Sequence, residues 1–225
     1  MENYTLYANS IEYSVKMKSS EKLFGLLMGI RSPSRYHHCI RVSSYAGIIG
    51  GAMGMSRKQV RCLKIAGLIH DIGFSAINDN ILEKRTALTP DEYAYIQLHP
   101  IIGMKILDCY GFPQDIMKAV VEHHEAFDGS GYPLGLKREQ IGIYGKILFL
   151  SEYFDTITTD TPYKNASSID EAIQSVKQLS NKKFDPELVD TLLNSEEISH
   201  FYMHKESICN NYPVPGSNLD SIITF

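Results

Sequence analysis

The stretch SRKQVRCLKIAGLIHDIG, residues 56–73, leaves the backbone few choices. Ser56 and Gln59 stand three residues apart, the spacing of a capping box that closes the first turn of a helix. Val60, Leu63 and Gly67 follow at i, i+3 and i+7, with Leu68 and Ile69 widening the same face. The spacing predicts an amphipathic helix that stops near Gly73, with His70 and Asp71 on its last turn.

The same local grammar recurs downstream. In TPDEYAYIQLHP, Thr89 caps, Pro90 takes the first helical position and Glu92 completes a box. Pro100 disfavours helical geometry at His99, so a break or kink is expected there, with His99 aimed from an irregular joint. FPQDIMKAVVEHH predicts a short helix entered through Pro113 and ending near the histidine pair, followed by the Gly- and Pro-rich loop EAFDGSGYPLGL. IYGKILFLSEYFDTITT predicts an apolar helix with Ile147, Leu150 and Phe154 on one stripe. Ser167 and Ser168 introduce IDEAIQSVKQLS, and Asp185 caps DPELVDTLLN as a last core helix. Strand alternation, internal repeats and low-complexity runs are absent from the sequence. The expected fold class is therefore all-α, a bundle of seven to nine helices.

The 225 residues suit one large domain with modest extensions, long enough to bury a core without disulfides or structural zinc. A net charge of -4 with no basic run excludes a general nucleic-acid or anionic-membrane binder, though not a small anionic ligand at a local cationic site. Cys39, Cys62, Cys109 and Cys209 are widely spaced without a C-x-x-C pair, which reads as free thiols in a reducing compartment. The N-terminus lacks a basic region followed by an apolar run, and no apolar stretch approaches the length of a membrane helix. The expected location is cytoplasmic.

The chemistry concentrates in five of the eight histidines, His38, His70, His99, His123 and His124, together with Asp71. Imidazole with carboxylate suits iron, manganese, zinc or nickel, and a bridging carboxylate can hold two ions close. Any one of these histidines alone is better read as structural, and Asp71 alone as solvent-facing. Their order on separate helices of one bundle is what favours a metal centre. His37 reads as a neighbour facing away, and His200 and His204, four apart, as a solvated pair.

At this point the chain resembles the HD-GYP branch of the HD-domain metal-dependent phosphohydrolases. The resemblance rests on His38 with Arg41 and Val42, HDIG from His70 to Gly73, His99-Pro100, HHE from His123 to Glu125, and DGSGYP from Asp128 to Pro133. It continues through NDNILEKRTALTPDEY, YPLGL, FDTITTDTPYK and FDPELVD. On it the chain divides into an N-terminal helical extension, residues 1–20, an HD-GYP-type domain, 21–195, and a C-terminal tail, 196–225, loosely packed from about 205. The resemblance implies an HD-domain bundle holding two divalent transition-metal ions, iron foremost, with manganese, nickel and zinc as alternatives. It implies His38, His70 and Asp71 as metal ligands, Asp71 bridging and catalytic, and His99, His123 and His124 as ligands of the second ion. The closing carboxylate falls on Glu152, where the family has aspartate; Asp155 is the alternative, or a hydrogen-bond partner within the bundle.

The implied activity is hydrolysis of a cyclic dinucleotide, cyclic di-GMP or a relative, by metal-activated water. Asp128, Gly131, Tyr132, Pro133, Lys146 and Lys164 are the expected substrate-binding residues. Asp128 is open between protonating the leaving oxygen and forming the turn, and Tyr132 between stacking on a base and shaping the loop. A homodimer or a signalling protein stands as the further expected partner. Three departures bear on this. Phe74 stands where the family typically has a lysine on the substrate phosphate, Thr161 where it has an arginine, and Ser34 where a glutamate supports a third ion. The site is therefore expected to be dinuclear. The two missing cations, each worth about 1.5–3 kcal/mol to a buried phosphate, leave three outcomes: altered substrate, weak activity or silence as a binding or scaffold module, and a pocket rearranged around Lys146 or Lys164.

Overall fold

The computed structural model describes residues 32–160 and 165–210. Ten α-helical segments follow one another, one of them, Asp79–Leu82, a single turn, and no strand occurs among the described residues. They are α1 Pro33–Ala52, α2 Arg57–Ile69, α3 Asp79–Leu82, α4 Pro90–Ile96, α5 His99–Cys109, α6 Gln114–Glu122, α7 Ile143–Thr158, α8 Ile169–Leu179, α9 Pro186–Leu193 and α10 Glu196–Asn210. The expected all-α bundle is what forms, and the expected extension over residues 1–20 lies outside the described residues.

The starts of the helices obey local chemistry. Capping boxes close α2 at Ser56 and Gln59, α4 at Thr89 and Glu92, and α8 at Ser168 and Glu171. Ser32 caps α1 ahead of Pro33, and Asp185 caps α9 ahead of Pro186. The proline at position 100 acts as expected: α4 ends at Ile96, and α5 opens at His99 with Pro100 in its first turn. One boundary differs. α2 ends at Ile69, His70 is its C-cap, and Asp71 leads into a 3-10 turn, Ile72–Ala76, rather than completing a last α turn.

α1 runs through the middle of the molecule. Its Cys39, Val42, Tyr45, Ala46 and Ile49 are fully buried, and burying side chains such as Val42 and Ile49 stabilises by about 1.5–3 kcal/mol each. α1 packs along α2 and α7, and α6 lies against α2, α5 and α7. Tyr45 meets Phe154 of α7 and Phe201 of α10 edge-on, with centroids 5.3 and 4.7 Å apart. The boundary expected at 195 therefore falls at the start of a helix whose Ile198 and Phe201 belong to the same core. Among the described residues no helix is long and apolar enough to cross a membrane. Cys39 and Cys62 are buried and Cys109 is exposed.

Candidate metal centre

Five elements of the bundle aim side chains at one point. α1 presents Arg35, His38 and Arg41 at i, i+3 and i+6, one face of its first turns. The turn after α2 supplies His70 and Asp71, α5 opens with His99, His123 and His124 follow the end of α6, and α7 carries Glu152 and Asp155. Gly73 lets the 3-10 turn lie directly on the start of α5: a Cβ there would sit 1.9 Å from the His99 carbonyl oxygen. That close approach brings Asp71 beside His99.

Three histidines are oriented by the same device. Nδ1 of His70, His99 and His123 donates to the carbonyl three residues back, at Gly67, Ile96 and Val120, over 2.7, 2.9 and 2.6 Å. A carbonyl can only accept, so the proton is on Nδ1 and each Nε2 carries a lone pair. All three Nε2 atoms face Asp71 Oδ1, at 3.6, 3.5 and 3.9 Å. His99 Nε2 and His123 Nε2 stand 3.1 Å apart, lone pair towards lone pair. His70 Nε2 is buried without any hydrogen-bond partner. Facing lone pairs and an orphaned buried nitrogen cost free energy unless a cation lies among them, so the donor set fits metal ions. His99, His123 and His124 offer ligand atoms within 4.8 Å of one another, and so do His38, His70 and Glu152.

Asp155 settles into the supporting role. Its Oδ2 accepts from His38 Nδ1 at 2.7 Å, and Arg41 grips both oxygens, Nε on Oδ1 at 2.7 Å and Nη2 on Oδ2 at 3.0 Å. A carboxylate so occupied turns the His38 ring and leaves its Nε2 for the cluster. Glu152 is the opposite case. Its Oε2 is buried without a hydrogen-bond partner, and His124 Nδ1 approaches it only to 3.5 Å.

Electrostatics agree with a cation site. Burial lowers His70 from 6.5 to about 4 and His124 to about 3, and lowers His99 and, further, His123. Burial pushes Asp71 up, but His70, Arg35 and His99 together outweigh it and hold its carboxyl well below the usual range. Burial, reinforced by the charge of Asp71, raises Glu152 well above it. Positive charge at this point would reverse the cost of ionising Glu152.

A cleft of about 420 Å³ opens onto the cluster, lined by His38, Asp71, His99, His124 and Glu152, and also by Arg35, Phe74 and Tyr132. Tyr132 stacks on His124 with centroids 4.6 Å apart, and Phe74 on His99 at 4.1 Å. The loop behind Tyr132 is stapled by buried Glu125, whose oxygens accept from Leu134 N and Leu136 N at 2.6 and 2.9 Å. At Gly131 a Cβ would lie 2.3 Å from Ala126 N, so only glycine allows the loop to close on itself.

Other expected substrate contacts are not brought to the cleft. Asp128 is exposed and accepts from Ser130 N and Oγ, at 2.9 and 2.6 Å, which makes it the turn former. Gly131 and Pro133 are absent from the cleft lining. Lys146 is bound instead by Asp185 at 2.7 Å and lies 5.1 Å from the Phe127 ring, because its position on α7 faces α9. Thr161 and Lys164 lie outside the described residues. Ser34 lines the cleft at the start of α1, with no carboxylate in the glutamate's place. His200 and His204 stack at 4.4 Å on α10 and join no cluster of ligand atoms among the described residues. Sequence reasoning passed over Arg35, Nη1 of which lies 3.0 Å from Asp71 Oδ2. The signal was its position one helical turn before His38.

Fold and site together define a class: a helical bundle built around a histidine–carboxylate cluster that fits metal ions. The chain belongs to the HD-domain family, whose model matches residues 7–188, and its HHE and DGSGYP runs place it in the HD-GYP branch. A Thermotoga maritima protein named cyclic di-GMP phosphodiesterase is 36% identical over 188 residues, covering 82% of this chain and 51% of that protein. The Xanthomonas campestris cyclic di-GMP phosphodiesterase response regulator RpfG is 34% identical over 174 residues, covering 76% of this chain and 44% of the regulator. The chain thus spans about half the length of these curated relatives or less. A crystal structure described as a cyclic GMP-AMP specific phosphodiesterase of V. cholerae superposes with a TM-score of 0.66 at 22% identity, over 88% of this chain and 54% of that one.

Proposed function

We propose that this chain hydrolyses a phosphodiester bond of a cyclic dinucleotide, cyclic di-GMP or a relative, at a centre of two divalent transition-metal ions. His38, His70 and Glu152 would hold one ion and His99, His123 and His124 the other, with Asp71 available as a shared ligand. The observation that carries this reading is the convergence of unprotonated Nε2 atoms on Asp71 Oδ1, two of them 3.1 Å apart. The relatives named cyclic di-GMP phosphodiesterases support the substrate class. Iron is the first choice of metal, and manganese, nickel and zinc also suit an imidazole–carboxylate set.

Bound ions supply Lewis acidity, neutralising charge on phosphate oxygens and lowering the pKa of water. The chain's own residues supply the rest. Asp155 and three backbone carbonyls fix the ring orientations before substrate arrives, so no reorganisation is needed during reaction. Tyr132 walls the cleft with an aromatic ring that suits a nucleobase or ribose. Metal-loaded protein incubated with cyclic di-GMP, cyclic GMP-AMP and cyclic di-AMP should turn over at least one, and Asp71→Ala should abolish that turnover. Full metal content with no turnover of any of them would overturn the reading. A second reading, hydrolysis of a different phosphate ester at the same centre, is favoured by the apolar Phe74 wall beside His99. It would be seen as Asp71-dependent turnover of nucleotides or phosphomonoesters alone.

A further inference from the structure

We propose that Arg35 is the phosphate-binding cation of the cleft and that Phe74 is the platform that aims it. The inference rests on the phosphoester reading above and adds the residue that receives the substrate's charge.

Two cationic side chains line the cleft among the described residues, Arg35 and Arg41. Arg41 is only 6% exposed and is committed as a fork to Asp155. Arg35 is held differently. Nη1 donates to Asp71 Oδ2 at 3.0 Å, and the guanidinium carbon lies 3.8 Å from the centroid of the Phe74 ring. Phe74 is itself stacked on His99, 4.1 Å between centroids and 20° between planes. His99, Phe74 and Arg35 therefore form a column rising from the ligand cluster to the cleft.

The column explains what the guanidinium can do. Stacking occupies its face and leaves the in-plane N–H donors available, and a guanidinium has five of them. One is on Asp71, and the side chain remains 29% exposed. Asp71 presents its other oxygen to the three Nε2 atoms. A phosphate that reaches the cluster therefore also comes within reach of Arg35. The remaining donors match two phosphate oxygens in the bidentate manner that arginine favours. A phenylalanine at 74 is then a functional choice, because an aromatic face holds a guanidinium in one plane while an aliphatic side chain would not.

The test uses the whole chain loaded with metal, and Arg35→Ala, Arg35→Lys, Phe74→Leu and the double variant Arg35→Ala/Phe74→Lys. The readouts are metal content, calorimetric binding of inorganic phosphate and of a phosphorothioate cyclic di-GMP, and KM against kcat. Arg35→Ala should weaken both binding constants on the order of 10- to 100-fold with metal content unchanged. Arg35→Lys should retain part of the affinity, Phe74→Leu should lose a smaller factor in the same direction, and the double variant should recover binding. Unchanged binding in Arg35→Ala would overturn the inference, as would a loss of metal that accounts for the loss of binding, since Arg35 would then only steady Asp71. If the parent turns over cyclic dinucleotides and Arg35→Ala does so with unchanged KM, Arg35 alone is misassigned. If the parent binds phosphate through Arg35 but hydrolyses no cyclic dinucleotide, the proposed function fails and the role of Arg35 stands. Binding of neither ligand by the parent overturns both.

Discussion

Asp155 and Glu152 sit one helical turn apart on α7, yet their environments set them to different work. Asp155 is saturated by His38 and Arg41. Burial alone would raise its pKa, but the His38 hydrogen bond and the Arg41 charge hold it below the usual carboxylate range. Glu152 has a buried oxygen with no partner. Replacing Asp155 by Asn keeps the shape but removes the charge that fixes the His38 proton on Nδ1. Asp155→Asn should therefore weaken metal affinity about 10- to 100-fold, measured by competition with a chelator. Retention of parental affinity would show that the His38 ring needs no such support. Both acids were visible in the sequence as candidates. Their division of labour was not, because His38 and Asp155 are 117 residues apart and only packing of α1 on α7 brings them together.

At the scale of elements, the joints matter more than the helices. The 3-10 turn carrying Gly73 must lie flat on the start of α5 for Asp71 to meet His99, and a Cβ at 73 would strike the His99 carbonyl at 1.9 Å. Gly73→Ala should cost about 1–3 kcal/mol by overpacking and lower metal content as well, both read by thermal unfolding and elemental analysis. Gly51→Ala in α1 is the control, since a Cβ there meets nothing within 4 Å. It should be neutral or stabilise by up to about 1 kcal/mol. Helix positions were legible from caps and periods, down to the break before His99. The early end of α2 was not, because the turn that follows it lies against α5, a contact between segments that local spacing does not show.

For the whole molecule, four of the cluster histidines bind the centre to folding. In metal-free protein, His70, His99, His123 and His124 all have folded pKa values below the unfolded 6.5. Between those values the unfolded chain holds more protons than the folded one, so stability rises with pH. Chelator-treated protein should therefore keep its stability above pH 6.5 and lose it progressively as pH falls towards about 4, where His70 titrates. Metal binds only the deprotonated rings, so the loaded protein should melt higher at neutral pH and release metal on acidification. A flat stability profile for the metal-free protein between pH 7 and 4 would mean that the histidines are not buried as described.

The sequence by itself determined the all-α class, the helix starts and the ordered histidines, since caps and apolar periods depend on residues three or four apart. Only tertiary structure decided which carboxylate supports and which is left for a ligand, that Lys146 turns to Asp185, and that Arg35 lies on Phe74 beside Asp71. Those contacts join residues 36 to 117 positions apart. Such pairs are chosen by how helices pack, and packing depends on the buried surface of the entire bundle, which no local spacing encodes.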